Sequence, residues 1–255
     1  MEETLNNPDQ GASSYKDGPD LNSRIMLLQL QNNDPAVTSA QVYWKKGTFV
    51  NTVDWEKQAD ALANNTPLKS FKLQVLGNVS GNTVSYRPNG YNVNRANFEA
   101  FCKGLANNRT IEWLNIQIMS LPANLMDMLS PMIEHNPNLC QLEMNTCEMN
   151  YAACRVLTSA LSRRENKSSL KKVDLTNTMF SGKESQEVIV SLSQYRNLAY
   201  LSLGGNQLGL KGYVELGMLL QNHNCQLEEL YIECNQIDDE CLEVLTLALL
   251  GSKLL

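Results

Sequence analysis

The sequence predicts an α/β solenoid: an open parallel sheet with one helix outside each strand, built from about seven stacked repeats. Three observations predict it. An apolar frame at positions 1, 4 and 6 recurs along the chain. Positions 4 and 6 alternate with polar neighbours, as a short half-buried strand requires. Each frame is followed by apolar residues three and four apart, the spacing of an amphipathic helix.

The frames, in order, are Ile25-Leu28-Leu30, Leu68-Phe71-Leu73, Ile111-Leu114-Ile116, Leu139-Leu142-Met144, Leu170-Val173-Leu175, Leu198-Leu201-Leu203 and Leu227-Leu230-Ile232. Their starts are separated by 43, 43, 28, 31, 28 and 29 residues. Position 9 holds Asn33, Cys147, Thr178, Asn206 and Asn235 in five units, and Leu76 in the second. An asparagine there has the donors and acceptor to satisfy backbone groups as the chain leaves the strand. Leu76 has neither, so the second unit's turn should differ. Position 11 is apolar in five units: Leu121, Met149, Phe180, Leu208 and Ile237. Helical patterns follow at Phe98, Phe101, Leu105; at Leu125, Leu129, Ile133; and at Val156, Leu157, Leu161. One unit alone buries too few apolar side chains to offset the entropy of ordering it, so the units must stack.

This frame resembles the leucine-rich repeat, LxxLxLxxN/CxL. The stretch LAYLSLGGNQLGLKGYVELGMLL (198–220) resembles the ribonuclease-inhibitor-like subfamily, whose unit is 28–29 residues with one strand and one helix. The resemblance covers residues 21–255. It implies a horseshoe arc, with the parallel β-sheet on the concave face and helices on the convex face. It also implies a protein partner docked on the concave face. Residues 1–20 show no periodicity and read as a disordered tail. At the other end Leu254 or Leu255 falls where an eighth strand would open, so the array is expected to continue beyond residue 255.

The first two units are extended to 43 residues. QVYWKKGTFVN (41–51) aligns with VSYRPNGYNVN (84–94), and nine of 34 positions are identical between residues 34–67 and 77–110. The phrase LANN stands at 62–65 and again at 105–108. A 43-residue unit was duplicated within a longer array. The extensions, 34–48 and 77–91, are either loops that inherited their sequence or one protruding contact surface with Trp44 and Tyr91 near its tips.

Composition narrows the function classes. No stretch reaches the ~20 apolar residues of a membrane span. The N-terminus, MEETLNNPDQ, is acidic and lacks the apolar core of a secretory signal, so a cytoplasmic protein is expected. Seven cysteines, an odd number without a C-x-x-C pair, suggest reduced thiols. The net charge of −6 argues against nucleic acid.

No catalytic constellation stands out, and the chain is read as non-catalytic, without cofactor, metal, small-molecule substrate or membrane. His135 and His223 each lie four residues before a position 1, three repeats apart, and read as helix-end residues. Cys140, Cys147 and Cys154 fall on strand, turn and helix of one unit and read as small buried residues. The glycines of GGNQLGLKG (204–212) belong to the repeat's own turn rather than a phosphate loop. Arg163 and Arg164 end a helix, where cations are favoured.

A solenoid offers its concave sheet face, to which positions 3, 5, 7 and 8 should point. The protein-binding candidates there are Lys72, Trp113, Glu143, Lys172, Tyr200, Glu229, Tyr231 and Glu233. Tryptophan and tyrosine are the usual anchors of interfaces; here they are either anchors or cover over a neighbouring strand. The stretch 228–243 carries seven acids and no base, and is either a solvated edge or a patch for a basic partner. Some proteins of this repeat subfamily activate small GTPases, so the resemblance implies GTPase activation as the alternative function. The sensor fragment of a larger receptor is a third reading.

Overall fold

The structure, a computed structural model, describes residues 18–19, 21–45, 55–76, 79–80, 83–84, 95–117 and 121–251. Its strands are β1 (Gly18–Pro19), β2 (Ser39–Lys45), β3 (Ser70–Leu76), β4 (Val79–Ser80), β5 (Thr83–Val84), β6 (Trp113–Gln117), β7 (Gln141–Glu143), β8 (Lys172–Asp174), β9 (Tyr200–Ser202) and β10 (Glu229–Tyr231). Its helices are α1 (Leu21–Gln31), α2 (Trp55–Asn64), α3 (Arg95–Asn107), α4 (Ala123–His135), α5 (Tyr151–Arg163), α6 (Gly182–Leu192), α7 (Gly209–Gln221) and α8 (Asp239–Gly251). The main sheet has the order β1-β2-β3-β6-β7-β8-β9-β10. Strands β2 to β10 of that sheet run parallel, and β1 closes the first edge antiparallel to β2. The helices pack in chain order, each on the next, in one layer.

Stacking follows from the frame. Leu139, Leu142 and Met144, and likewise Leu170, Val173 and Leu175, are fully buried between the sheet and the helix layer. Equal unit lengths set equal positions side by side, so Leu114, Leu142, Val173 and Leu201 are neighbours across the strands.

The first unit departs from the expected frame. Residues 25–30 are helical, inside α1, and the strand is β2, framed by Val37, Ala40 and Val42, all buried. In α1 the buried side chains are Leu27 and Leu30, three apart, while Leu28 is exposed, which is helical periodicity. An unmarked helix therefore precedes the first strand. The step from Val37 to Leu68 is 31 residues, an ordinary unit, and only the step from Leu68 to Ile111 keeps 43. Segment 34–48 is accordingly not an inserted loop: it contains β2, with Trp44 in register beside Val75. Within 77–91 the described residues form the β4–β5 hairpin; Tyr91 lies outside the described residues, as do 1–17, Leu254 and Leu255. The second unit's turn does differ, since Leu76 is the last residue of a seven-residue strand rather than a turn residue.

Two polar ladders bind the units to each other. At position 9, the Asn206 amide donates to the carbonyls of Leu175 and Leu203 (both 2.9 Å) and accepts from the Thr178 and Phe180 N–H groups. Asn235 repeats this one unit later, donating to Leu203 and Ile232 (both 2.9 Å). Cys147 supplies a weaker version through its thiol, 3.1 Å from the Ile116 carbonyl. Position 8 turns rather than facing the concave surface: Thr146, Asn177, Gly205 and Cys234 all take left-handed φ, between 55° and 66°.

The second ladder explains the recurring LANN. Its last asparagine is buried at each helix end. The Asn108 amide donates back to the carbonyls of Leu62 (2.8 Å) and Asn65 (3.1 Å), and its oxygen accepts from Thr110 and Ile111 N–H. Asn136 does the same toward Asn108 (3.0 Å). In the next unit Arg164 takes this place. It is 2% exposed and donates to the carbonyls of Ile133, Asn136 and Leu139 in the preceding unit. Burial lowers its pKa, partly offset by Tyr195. Arg163, one residue away, is exposed and pairs with Glu134 at 2.6 Å.

Candidate protein-binding face

With all helices in one layer, the opposite face of the sheet carries side chains at positions 3 and 5. Register places Ser70, Trp113, Gln141, Lys172, Tyr200 and Glu229 in one row. The next row is Lys72, Asn115, Glu143, Asp174, Ser202 and Tyr231. Seven of the eight candidates stand in these rows, and Glu233 follows in the turn after β10. The rows are long: at ~4.8 Å per strand, Lys72 and Tyr231 lie about 24 Å apart.

Five of the candidates are drawn into a continuous chain of contacts. Asn115 donates to the Glu143 carboxylate at 2.6 Å, and Glu143 receives the Lys172 ammonium at 2.9 Å. That ammonium lies 4.6 Å from the centre of the Tyr200 ring. The Tyr200 and Tyr231 rings are 5.2 Å apart and tilted by 37°. Tyr231 then donates to Glu229 at 2.8 Å. Parity alone does not reveal this chain, because the Glu143–Lys172 pair crosses from one row to the other.

Charge on the face is arranged rather than scattered. Burial works against the Lys172 ammonium, but the hydrogen bond and charge of Glu143, with Tyr200 and Asp174, outweigh it and hold the pKa above the ordinary value. Burial raises the Tyr200 pKa, and Asp174 adds to it. Tyr231 is raised by its hydrogen bond to Glu229 and by that carboxylate's charge. Glu143 is itself buried, so the charged pair is shielded from water. Glu233 lies over Gly204, filling the space a side chain there would need.

A second polar chain runs beside the first. Gln117 donates to Asn145 (2.8 Å) and Asn145 to Asp174 (3.3 Å). Two buried polar atoms on β6 have no hydrogen-bond partner among the described residues: the Trp113 indole nitrogen and the Asn115 side-chain oxygen. Trp113 and Lys72 do not join the chain that links the other candidates. Asn115 is its missing member, and nothing in its residue type marks it out from the other amides of the face.

The remaining motifs take structural places. His135 ends α4 with Nδ1 3.1 Å from Glu165, and His223 lies in the turn after α7. Cys147 and Cys154 are buried and Cys140 is half-buried; all seven cysteines are free thiols. Among the described residues no three histidine, cysteine or acidic side chains are grouped to hold a metal ion. No helix among them is long and apolar enough to cross a membrane.

Repeating strand and helix, leucines at positions 1, 4 and 6, and an asparagine ladder at position 9 define a leucine-rich-repeat solenoid of the α/β class. Comparison with known proteins finds no matching family model. The mouse (Mus musculus) protein named "NACHT, LRR and PYD domains-containing protein 14" is 25% identical over 165 residues, 54% of this chain. The chain spans 17% of that relative's length. Among solved structures, the leiomodin-1 actin-binding site 2 aligns over 80% of this chain and 89% of its own, with 17% identity and a TM-score of 0.42. The tropomodulin C-terminal domain of Caenorhabditis elegans aligns over 90% of this chain and 92% of its own, with 9% identity and a TM-score of 0.42.

Proposed function

We propose that this chain is a non-catalytic protein-interaction module that binds a protein partner on the concave face. The observation that carries the reading is the contact chain from Asn115 through Glu143, Lys172 and Tyr200 to Tyr231. It spans five strands and ends in stacked tyrosines, with Tyr231 exposed. A surface so ordered presents its aromatic and charged groups preset, which lowers the entropy lost on binding. Unit lengths of 28–31 residues with one helix per strand also support the ribonuclease-inhibitor-like subfamily. No observation on the described residues favours GTPase activation over this reading.

The test is affinity capture from source cells, comparing the wild type with the double variant Tyr200→Ala, Tyr231→Ala. Both proteins should melt at closely similar temperatures, since both tyrosines keep solvent contact. A captured protein that is lost with the variant supports the reading. The same proteins at the same yield from both would overturn it.

A further inference from the structure

The outer face of the last unit differs from the equivalent face of the unit before it. Leu242 in α8 holds the place of Tyr213 in α7, yet Leu242 is 56% exposed and Tyr213 is 0% exposed. Ile237 holds the place of Leu208, with 47% against 0%. Leu230, Ile232, Leu245 and Leu249 are only half-buried where Leu201, Leu203, Leu216 and Leu220 are buried. This is the interior surface of the solenoid, left uncovered. The strand beside it is open as well. Among the described residues β10 pairs only with β9. In β9 the Leu203 N–H bonds outward to the Tyr231 carbonyl at 2.8 Å; the equivalent donor of β10, on Ile232, points to no strand. An apolar helix face continuous with a free strand edge is a surface built to be covered.

Charge selects what covers it. No lysine or arginine stands between Lys211 and Lys253, while eight acids do. Seven of them, Glu228, Glu229, Glu233, Asp238, Asp239, Glu240 and Glu243, are exposed around this edge. A second copy of the chain would set this rim against its own like charges, which disfavours pairing.

We propose that the edge formed by β10 and α8 docks a basic, amphipathic segment of another protein. That segment adds a strand to β10, lays its apolar side chains on Ile237 and Leu242, and sets its lysines or arginines against the acidic rim. This surface is separate from the Asn115–Tyr200 chain, so the two readings stand or fall apart.

The experiment is backbone hydrogen exchange of the full chain, with and without a synthetic peptide of about eight residues alternating lysine with leucine. Exchange should slow at Leu230 and Ile232. Leu242→Glu should weaken binding about tenfold, the loss expected for one apolar anchor, and added salt should weaken it further. Because Leu242 is already more than half exposed, this variant should melt like the wild type. Tyr200→Ala should leave peptide binding unchanged. The proposal is overturned if the peptide leaves β10 exchange unaltered. Equal protection by a glutamate–leucine peptide overturns the charge argument. A concentration-dependent dimer that Leu242→Glu disperses would show that a second copy occupies the edge instead.

Discussion

Replacing Arg164 with alanine should destabilise the protein by about 3–4 kcal/mol, while the same change at Arg163 should cost less than about 1 kcal/mol. The magnitude follows from what Arg164 leaves behind. Its guanidinium donates to the carbonyls of Ile133, Asn136, Leu139 and Asn166 and to the Ser169 hydroxyl. Summing five charge-assisted bonds would overstate the effect, because burying the cation is itself costly. Counting the acceptors left unpaired is safer. Leu139 keeps the Ser169 hydroxyl at 3.0 Å. Ile133 has no helical substitute, since the residue four further on is Pro137. Asn136 is likewise left without this donor. Two unpaired buried carbonyls at ~1–3 kcal/mol each bracket the estimate. Arg163 loses only an exposed contact to Glu134. Urea unfolding followed by circular dichroism measures both, with the shift in midpoint read at constant slope. Arg164→Lys should fall between, since an ammonium keeps the charge but not the forked geometry. If Arg164→Ala lies within about 1 kcal/mol of the wild type, the helix-end ladder does not stabilise the stack as argued.

Gly104→Ala should also destabilise, by roughly 1–3 kcal/mol in urea unfolding, because a Cβ there would meet the Ala59 backbone oxygen at 2.7 Å, where α3 crosses α2. Alanine's helix propensity would otherwise favour the change, so a stabilised variant would refute the close packing. A third prediction concerns alkaline pH. Burial pushes the Cys154 thiol from 9.0 up to about 12 and the Tyr213 hydroxyl from 10.0 up to about 12. Burial also raises Cys102 and Tyr195. Folded-state pKa values above the unfolded ones leave stability intact below about pH 9. It should then fall steadily from pH 9 toward 12, as the unfolded chain loses protons that the folded chain retains. Urea midpoints at stepped pH check this, and Tyr213→Phe should flatten the part of the slope above pH 10.

Much of the arc was legible because its frame is strict. From Leu68 onward, each set of positions 1, 4 and 6 lies where the spacing put it, and strand parity placed Lys172, Tyr200 and Glu229 on one face. The first unit was not legible, and the reason is physical. In Ile25–Leu30 a leucine-rich helix meets the same 1-4-6 template as a strand, whereas the true strand is framed by the small Ala40 and by two valines. Similar text 43 residues apart reinforced the error: that offset holds for α2 and α3, while β2 and β3 are offset by 31. Arg164 was misread for a different reason. Nothing in an Arg-Arg pair says which cation turns inward, and only the packing of α4 on α5 decides it. On the candidate face, which rows face outward was readable, but the diagonal from Glu143 to Lys172 depends on side-chain reach.

The helix-end asparagine bears on how such an array can change its length. Asn108 and Asn136 each carry the donor for their own attachment, and the acceptor is a main-chain carbonyl of the preceding unit, which every unit supplies whatever its side chains. A copied unit therefore arrives with its own joint and needs no matching mutation in its neighbour. Gain or loss of a whole unit is a single genetic event that leaves the joints on either side intact, and the adjoining sequences remain free to diverge. The concave face is then lengthened or shortened by one row of side chains at a time.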